Sequence, residues 1–368
     1  MRAPVVTDRR SRYRGCLLGG ATGDALGAPV EHYSRAEILK RFGAKGIHDH
    51  VRAYGRVGAI TDDTQMTLFT AEGLLRSWVR GCIKGITTEV GVTAHAYLRW
   101  LATQGFDRIE VLDDQPAGWL IGHEELHHQR GPGRTCTSAL MAMTDFGDPA
   151  RNDSKACGGV MRAAPAGLFV ASIDQQSGLE RAFNLGADLA ALTHGHPTGS
   201  LAAGAFAALI YQLVTESTLA EALPEVKRIL AGRPGHEETL AALIFAEALA
   251  TNGRPPHECI ARLGKGWVAE EALAIAVYCA LVAEDFRDGV VLAVNHDGDS
   301  DSTGSIAGNL LGAELGINAV PDSWLEVLEL RDVITEVADD LCEFPDWLLD
   351  PSGGDAFTDR VWEKYPGF

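Results

Sequence analysis

The chain has 368 residues, of which 46% are hydrophobic and 22% are charged, so it can bury a sizeable core and lacks the composition of a disordered chain. Acidic residues outnumber basic ones by 50 to 32, and the formal net charge is −18. The densest basic run, Arg9 to Arg14, is short, so the composition excludes a broad polyanion-binding surface and we expect no nucleic-acid partner.

Helical periodicity dominates the chain. One face of a helix that follows Thr64 carries Met66, Phe69, Gly73 and Leu74. Ala- and Leu-rich segments of helical length occupy residues 201–214, 239–250 and 270–284, and residues 322–341 predict one more helix. Residues 87–92 are the nearest approach to a strand. Loops are predicted at residues 43–58, 131–133, 147–156 and 351–355. No linker or solenoid-length repeat divides the chain, so we predict one compact all-α domain.

Two series of glycines recur every four residues, each along one face of a predicted helix: Gly15, Gly19, Gly23 and Gly27, then Gly304, Gly308, Gly312 and Gly316. A helical Gly is less favourable than Ala by about 0.8–1 kcal/mol, so something must compensate. Two explanations stand side by side. The glycines allow close helix packing, or both series surround one buried site.

The first oxygen-rich motif is Thr61-Asp62-Asp63-Thr64, at the start of a helix. A helix N-cap explains one acidic residue. Two adjacent Asp between two Thr supply more oxygen atoms than a cap needs, so the motif also suggests metal ligands.

The second motif is DGDSDST, residues 297–303, ahead of the second glycine series. Alternating carboxylates and hydroxyls are ligands for Mg²⁺, Mn²⁺ or Ca²⁺ rather than zinc. An EF-hand does not fit, because Ser302 stands where Gly is needed and Gly308 where Glu should close the site. A simple capped turn remains an alternative. If the two motifs converge, they would hold two cations, which can orient a sugar diol and activate a water.

Other motifs carry less weight. His123 to His127 matches HExxH, but no Glu that could be a third zinc ligand lies between Glu125 and Glu180, so a solvated polar helix end is favoured. Residues 15–27 lack the preceding strand of a dinucleotide loop. Residues 193–197, THGHP, join two helices, and the amides of the loop at 152–162 could cradle a phosphate.

No targeting or membrane segment is expected. The first 14 residues lack the apolar run of a signal peptide, and the most apolar stretch, residues 199–214, is too short to span a bilayer. The seven cysteines are widely spaced and form no CxxC pair, which argues against a zinc knuckle or a disulfide framework. We therefore expect a cytoplasmic protein without a membrane partner.

Five segments together resemble the ADP-ribosylglycohydrolase family, which includes the dinitrogenase-reductase-activating glycohydrolase and ADP-ribosylarginine hydrolases. They are GCLLGGATGDALGAPVE (15–31), TDDTQM (61–66), SKACGGVMRAAP (154–165), THGHP (193–197) and GDSDSTGSIAGNLLGA (298–313). The resemblance implies a compact orthogonal helical bundle in one domain over residues 1–368, with its motifs in about 14–316 and a C-terminal helical extension over 321–368.

The resemblance also implies site residues and cofactors. Two divalent cations, Mg²⁺ or Mn²⁺, would be held by Thr61, Asp62, Asp63, Asp299, Asp301 and Ser302. The ADP-ribose would be bound by Ser154, Lys155, Gly158, Gly159 and His194. The general base would be one of Glu31, Asp62 and Asp63, and the sequence does not distinguish among them. Many relatives have Asn where Cys157 stands, which puts the contact at that position in doubt.

The function implied is a metal-dependent hydrolase that removes ADP-ribose from protein side chains. The DSDST form of the second motif favours the N-glycosidic bond to arginine. Two alternatives remain: a hydrolase of serine-linked ADP-ribose or O-acetyl-ADP-ribose, and a non-catalytic family member that only binds ADP-ribose. The expected partner is an ADP-ribosylated protein.

Overall fold

The computed structural model describes residues 8–106 and 117–367, and this part of the chain is almost entirely helical. Its α-helices are α1 (Arg9–Gly27), α2 (Arg35–Phe42), α3 (Asp62–Lys84), α4 (Glu89–Thr103), α5 (Arg134–Ala142), α6 (Ala164–Ile173), α7 (Leu179–Ala191), α8 (Pro197–Val214), α9 (Leu219–Ala231), α10 (Glu237–Ala250), α11 (Pro256–Leu263), α12 (Ala269–Val282), α13 (Phe286–Val294), α14 (Ser300–Leu315), α15 (Asp322–Leu325), α16 (Arg331–Glu343) and α17 (Ala356–Lys364). A small antiparallel hairpin pairs β1 (Arg52–Ala53) with β2 (Arg56–Val57). The all-α prediction is confirmed.

Helices α1 and α14 form an antiparallel pair at the centre, and their two glycine series face each other. A Cβ atom added to Gly308 would lie 2.1 Å from the carbonyl oxygen of Gly19, and one added to Gly312 would lie 1.8 Å from that of Gly15. The glycines therefore let two backbones touch along the length of both helices. Close packing is the correct explanation for most of each series.

The remaining helices surround this pair and bury one continuous apolar cluster. Helix α8 contains the helical segment predicted over residues 201–214 and begins four residues earlier, because His196 caps its first turn through Nδ1, 3.1 Å from the amide of Thr198. Its 18 residues have the length and composition of a membrane span, but 83% of them are buried against the rest of the protein.

Residues 87–92, the nearest approach to a strand in the sequence, form none, because Thr88 caps α4 by accepting a hydrogen bond from the amide of Gly91. One local prediction is wrong. Residues 322–341 form two helices, and the break includes Leu330, whose φ of 55° is left-handed. The HExxH segment forms a short 3₁₀ turn, Glu124–His127, with a largely exposed polar surface, as expected. The N-terminal residues 1–7, part of the stretch considered for a signal peptide, lie outside the described residues.

Candidate active site

Three helix ends meet where α1 finishes. Helix α1 runs antiparallel to α14, so its C-terminal Gly27 lies against the backbone of Ser300 and Asp301 in the first turn of α14. The first turn of α3 is attached to the same end of α1 through Asp24. The two oxygen-rich motifs, separated by more than 230 residues in the sequence, therefore converge beside Glu31.

Asp24 is the residue that joins α1 to α3. Its buried carboxylate accepts hydrogen bonds from the amide and hydroxyl of Thr61, at 3.0 and 2.7 Å, and from the amide of Thr64 at 3.2 Å. The Thr64 hydroxyl donates to the same carboxylate. Sequence reasoning missed this residue, although a signal exists: Asp24 is the only charged residue between Arg14 and Glu31 in an otherwise apolar and glycine-rich helix.

The carboxylates form one compact acidic cluster. Glu31, Asp299 and Asp301 each offer an oxygen atom within 4.8 Å of the other two. Asp62 and Asp63 adjoin this group, since the charge of Asp301 contributes to the raised pKa of both. The four Asp are at most 5% exposed, so the cluster lies below the surface.

Burial raises the pKa of every acid in the cluster, and repulsion from neighbouring carboxylates adds to this rise for most of them. Loss of hydration, reinforced by the charge of Asp301, raises the pKa of Asp24 to about 7 and that of Glu31 to about 9. Burial first, and then neighbouring carboxylates, also raise the pKa values of Asp62, Asp63 and Asp299 well above their ordinary range. A site that raises so many carboxyl pKa values at once strongly favours the binding of positively charged groups, whether protons or metal cations.

The donor set fits divalent cations. Within residues 8–106 and 117–367, no Lys or Arg forms an ion pair with any acid of the cluster, and the one partner is His32, 3.5 Å from Glu31. One carboxylate oxygen of Asp63 is buried and has no hydrogen-bond partner in the part of the chain that the structure describes. Buried carboxylates that lack protein cations have the hard oxygen donors that Mg²⁺ or Mn²⁺ prefers. Thr61 and Ser302 add hydroxyl groups to the two helix starts, so all six predicted ligands lie in or beside the cluster.

The predicted substrate loop packs on His194. Cβ atoms added to Gly158 and Gly159 would lie 3.3 and 3.2 Å from the imidazole of His194, so these glycines allow the backbone to approach the ring. The imidazole is buried, and burial together with nearby Arg162 lowers its pKa to about 3. Its Nδ1 is 2.8 Å from the hydroxyl of Thr193, while Nε2 has no partner among the described residues.

Two predicted substrate residues in this loop are engaged elsewhere. The Ser154 hydroxyl lies 2.9 Å from that of Thr135 on α5. The Lys155 ammonium lies between Glu238 on α10 and Glu270 on α12, at 2.6 and 2.5 Å, so its charge is neutralised and is not directed at the acidic cluster. The loop can therefore present its backbone groups to a ligand, whereas its one cationic side chain, Lys155, is already paired.

Cys157 links the substrate loop to the second motif. Its Sγ lies 2.7 Å from a carboxylate oxygen of Asp299 and donates to it. Burial and the charge of Asp299 raise the pKa of this thiol, so it stays protonated and acts as a donor. The thiol thereby orients a predicted metal ligand, a role that an Asn amide at the same position could also fill.

The other side of the cluster is closed by residues 130–133. The amide of Gly133 donates to Asp62 at 3.2 Å, and the carbonyl of Arg130 accepts from the Asp62 amide at 3.0 Å. The Arg130 guanidinium is held by Glu329, with N–O distances of 2.9 and 3.1 Å. Glu329 also accepts from the amide of Ile60, just ahead of the first motif. The C-terminal extension therefore supports the site, which the sequence did not indicate.

Known proteins resemble this chain over most of its length. The profile of the family described as ADP-ribosylglycohydrolase matches residues 6–347. The ADP-ribosyl-[dinitrogen reductase] glycohydrolase of Rhodospirillum rubrum is 26% identical, over 90% of this chain and 94% of its own length. The ADP-ribosylarginine hydrolase Tri1 of Pseudomonas putida is 23% identical, over 90% and 77% respectively. A solved ADP-ribosylglycohydrolase-related protein complex shares the fold, with a TM-score of 0.61, 24% identity and coverage of 91% of this chain and 98% of that one.

Proposed function

This chain belongs to the ADP-ribosylglycohydrolase family, and from that membership we propose that it is a metal-dependent hydrolase that removes ADP-ribose from arginine side chains of modified proteins. The family makes it an enzyme that acts on glycosidic bonds of ADP-ribose. The arginine linkage, the requirement for Mg²⁺ or Mn²⁺, and a modified protein as its partner are parts of the proposal.

The observation that carries the metal dependence is the buried acidic cluster. Without cations, several carboxylates share a low-dielectric space in which burial and the charge of Asp301 raise the pKa values of Asp24, Glu31 and Asp63. The residues that would hold the cations are Thr61, Asp62, Asp63, Asp299, Asp301 and Ser302. Bound divalent cations would supply Lewis acidity and positive charge at this position.

Glu31 is the best-placed general base. Its side chain is 17% exposed, so it reaches the mouth of the cluster, whereas Asp62 and Asp63 are almost fully buried. With cations bound, the burial and the repulsion that raise the pKa of Glu31 would be offset, so that Glu31 would be an ionised carboxylate. It could then accept a proton from a water that attacks the anomeric carbon, while the bond to the leaving nitrogen breaks through an oxocarbenium-like transition state. Asp62 is instead oriented by the amide of Gly133, which suits a ligand.

The opposite wall suits the phosphates and ribose of the substrate. The 3₁₀ turn at Cys157–Gly159 brings backbone groups next to the cluster without a side chain at Gly158 or Gly159. His194 lies behind these glycines as a neutral imidazole, so it would contribute a hydrogen bond rather than a charge. Ser154 completes this surface in the proposal, and Lys155 would have to leave its two carboxylate partners to reach a phosphate.

Two observations support arginine as the linkage. The second motif reads DSDST, and the relative from Pseudomonas putida is named as an ADP-ribosylarginine hydrolase. A negatively charged cleft also suits a guanidinium leaving group better than a neutral serine hydroxyl. A cytoplasmic location remains part of the proposal, supported by seven cysteines that are all unpaired.

One experiment separates the candidates. Peptides carrying ADP-ribosyl-arginine or ADP-ribosyl-serine, and O-acetyl-ADP-ribose, are incubated with the protein in Mg²⁺ or Mn²⁺ and in EDTA, and free ADP-ribose is measured. We expect release from the arginine peptide only, and only with the metal. Release from the serine peptide or from O-acetyl-ADP-ribose would assign another linkage. Failure to cleave any substrate, with binding of ADP-ribose retained, would indicate a binding protein.

A further inference from the structure

An aromatic pair lies at the mouth of the acidic cluster. The imidazole of His32 stacks on the indole of Trp267, with ring centroids 5.5 Å apart and planes at 24°. His32 Nε2 is 3.5 Å from a carboxylate oxygen of Glu31, so the pair is adjacent to the proposed general base. The His32 side chain is 73% exposed and Trp267 is 39% exposed, so a ligand in the mouth can reach both rings.

The position of the indole is fixed by the same backbone that holds the cluster. The carbonyl of Trp267 accepts from the amide of Cys157 at 3.2 Å, and the carbonyl of Lys265 accepts from the amide of Asp299 at 2.8 Å. Gly266 lies between them with φ of 80°, and a Cβ there would be 3.3 Å from the Cβ of Asp299. Trp267 is therefore held by hydrogen bonds of its own segment to the substrate loop at Cys157 and to the second motif at Asp299, rather than carried on a free loop.

This arrangement has the chemistry that recognises a planar cation. A guanidinium stacks on aromatic faces and pairs in its own plane with a carboxylate, and here an exposed indole stacks on the imidazole that lies next to Glu31. A second aromatic, Tyr54, is 45% exposed, and its hydroxyl lies with the Glu31 carboxylate beside Gly131. A serine aglycone has no planar cationic group, and an adenine base can donate a hydrogen bond to a carboxylate through its N6 amino group but carries no charge to pair with it.

We propose that His32 and Trp267, with Glu31, form the subsite that binds the guanidinium of the ADP-ribosylated arginine. This inference rests on the proposed function, because it names the part of the site that would make arginine the preferred linkage. Trp267 acts as a specificity residue in this subsite and takes no part in proton transfer.

The test compares Trp267→Ala, Trp267→Phe and His32→Ala with the unchanged protein. For Trp267→Ala we expect KM for an ADP-ribosyl-arginine peptide to rise roughly tenfold. The value of kcat and the dissociation constant of free ADP-ribose should stay unchanged. Trp267→Phe should retain most of the affinity because it keeps an aromatic face. His32→Ala, at a largely exposed position that folding does not depend on, should shift KM in the same direction but less.

The matched control is Phe357→Ala, which removes an aromatic side chain of similar exposure, 38%, from α17. This variant should leave unchanged both the KM for the ADP-ribosyl-arginine peptide and the dissociation constant of free ADP-ribose. If Trp267→Ala weakens the binding of free ADP-ribose as strongly as the binding of the peptide, the indole contacts the nucleotide and the proposal is overturned. An unchanged KM in both Trp267→Ala and His32→Ala overturns it as well.

A binding measurement separates this inference from the proposed function. The dissociation constants of the arginine peptide and of free ADP-ribose are measured by calorimetry in the unchanged protein and in Trp267→Ala. If the unchanged protein cleaves no arginine linkage but Trp267→Ala weakens the binding of the peptide and not that of free ADP-ribose, the subsite stands and the proposed activity fails. If the unchanged protein binds the peptide no better than free ADP-ribose, the subsite is wrong.

Discussion

Asp24 and Thr61 are joined by two hydrogen bonds, one from the Thr61 amide at 3.0 Å and one from its hydroxyl at 2.7 Å. The Thr61 hydroxyl is also 3.3 Å from the amide of Asp63, from which it accepts as an N-cap. A buried acid of α1 therefore sets the direction of the first turn of α3. The two Asp of that turn face the acidic cluster because Asp24 holds their helix in place.

The first prediction concerns Asp24→Asn. An Asn amide cannot accept from all the donors of Thr61 and Thr64, and its NH₂ group faces one of them, so the first turn of α3 shifts. Hydrogen bonds to a charged group contribute about 1.5–3 kcal/mol each, so we expect affinity for Mg²⁺ or Mn²⁺ to fall at least roughly tenfold. Calorimetric titration of the cation measures this.

Stability is a poor readout for Asp24→Asn, because the lost hydrogen bonds are offset by relief of repulsion from Asp301. The conservative control is Thr64→Ser, which keeps the hydroxyl that donates to Asp24 and should bind the cation normally. Equal cation affinity in Asp24→Asn and the unchanged protein would show that Asp24 does not position the ligands.

The second prediction concerns pH. Folding raises the pKa of Asp24 to about 7 and of Glu31 to about 9, above the roughly 4 of an unfolded carboxyl group. The folded state therefore binds protons more tightly than the unfolded state. The stability contributed by these groups is complete below about pH 4 and is lost as pH rises through 7 and 9. In EDTA we expect Tm to fall progressively over this range from this cause.

Added cation should reverse that loss. At one hundred times its dissociation constant, a bound cation stabilises the folded state by about 2.7 kcal/mol, so Tm should rise with Mg²⁺ or Mn²⁺ concentration. Asp301→Asn is the control, because the charge of Asp301 raises the pKa of both Asp24 and Glu31. That variant should lose hydrolysis, bind cation poorly and show a shallower decline of Tm in EDTA. A Tm that does not change with the concentration of Mg²⁺ or Mn²⁺ at any pH would count against the metal site.

The sequence predicted the helices and the two oxygen-rich motifs, because each depends on local spacing, but it left the convergence of the two motifs open. Met66 and Leu74 mark a helix face by periodicity, and Asp299 and Asp301 mark a helix start by composition. Long-range partners carried no such signal. Glu329 and Arg130 meet across 199 residues, and Lys155 pairs with Glu238 and Glu270 on two other helices, so neither relation could be derived from spacing.

The third prediction tests the glycine contact of α1 and α14. In Gly308→Ala the new Cβ would lie 2.1 Å from the carbonyl oxygen of Gly19, so the two helices must separate. We expect a loss of about 1–3 kcal/mol or more in the free energy of unfolding. In the control, Gly81→Ala on α3, the Cβ would meet the side chain of Thr87, with its methyl group at 3.3 Å and its Cβ at 3.9 Å. That variant should gain up to about 1 kcal/mol from helix propensity. Urea denaturation compares them, and equal stabilities would contradict the packing argument.

The fourth prediction concerns the C-terminal support of the site. Glu329 is 1% exposed and pairs with the buried Arg130, whose backbone carbonyl holds the amide of Asp62. In Glu329→Gln the guanidinium remains buried without a counter-charge, so we expect a loss of about 3–5 kcal/mol in the free energy of unfolding. Weaker cation binding should accompany it, because the segment ahead of α3 loses its anchor at Ile60.

Glu326→Gln is the matched control for Glu329→Gln, since Glu326 lies three residues earlier at an exposed position and should leave both quantities unchanged. A double variant, Arg130→Met with Glu329→Leu, separates charge from packing. Replacing both members of a buried ion pair by apolar side chains can restore stability, whereas the hydrogen bonds to Ile60 stay lost. We therefore expect the double variant to recover stability but not cation affinity. Recovery of both would show that Glu329 compensates the charge of Arg130 without positioning the first metal motif.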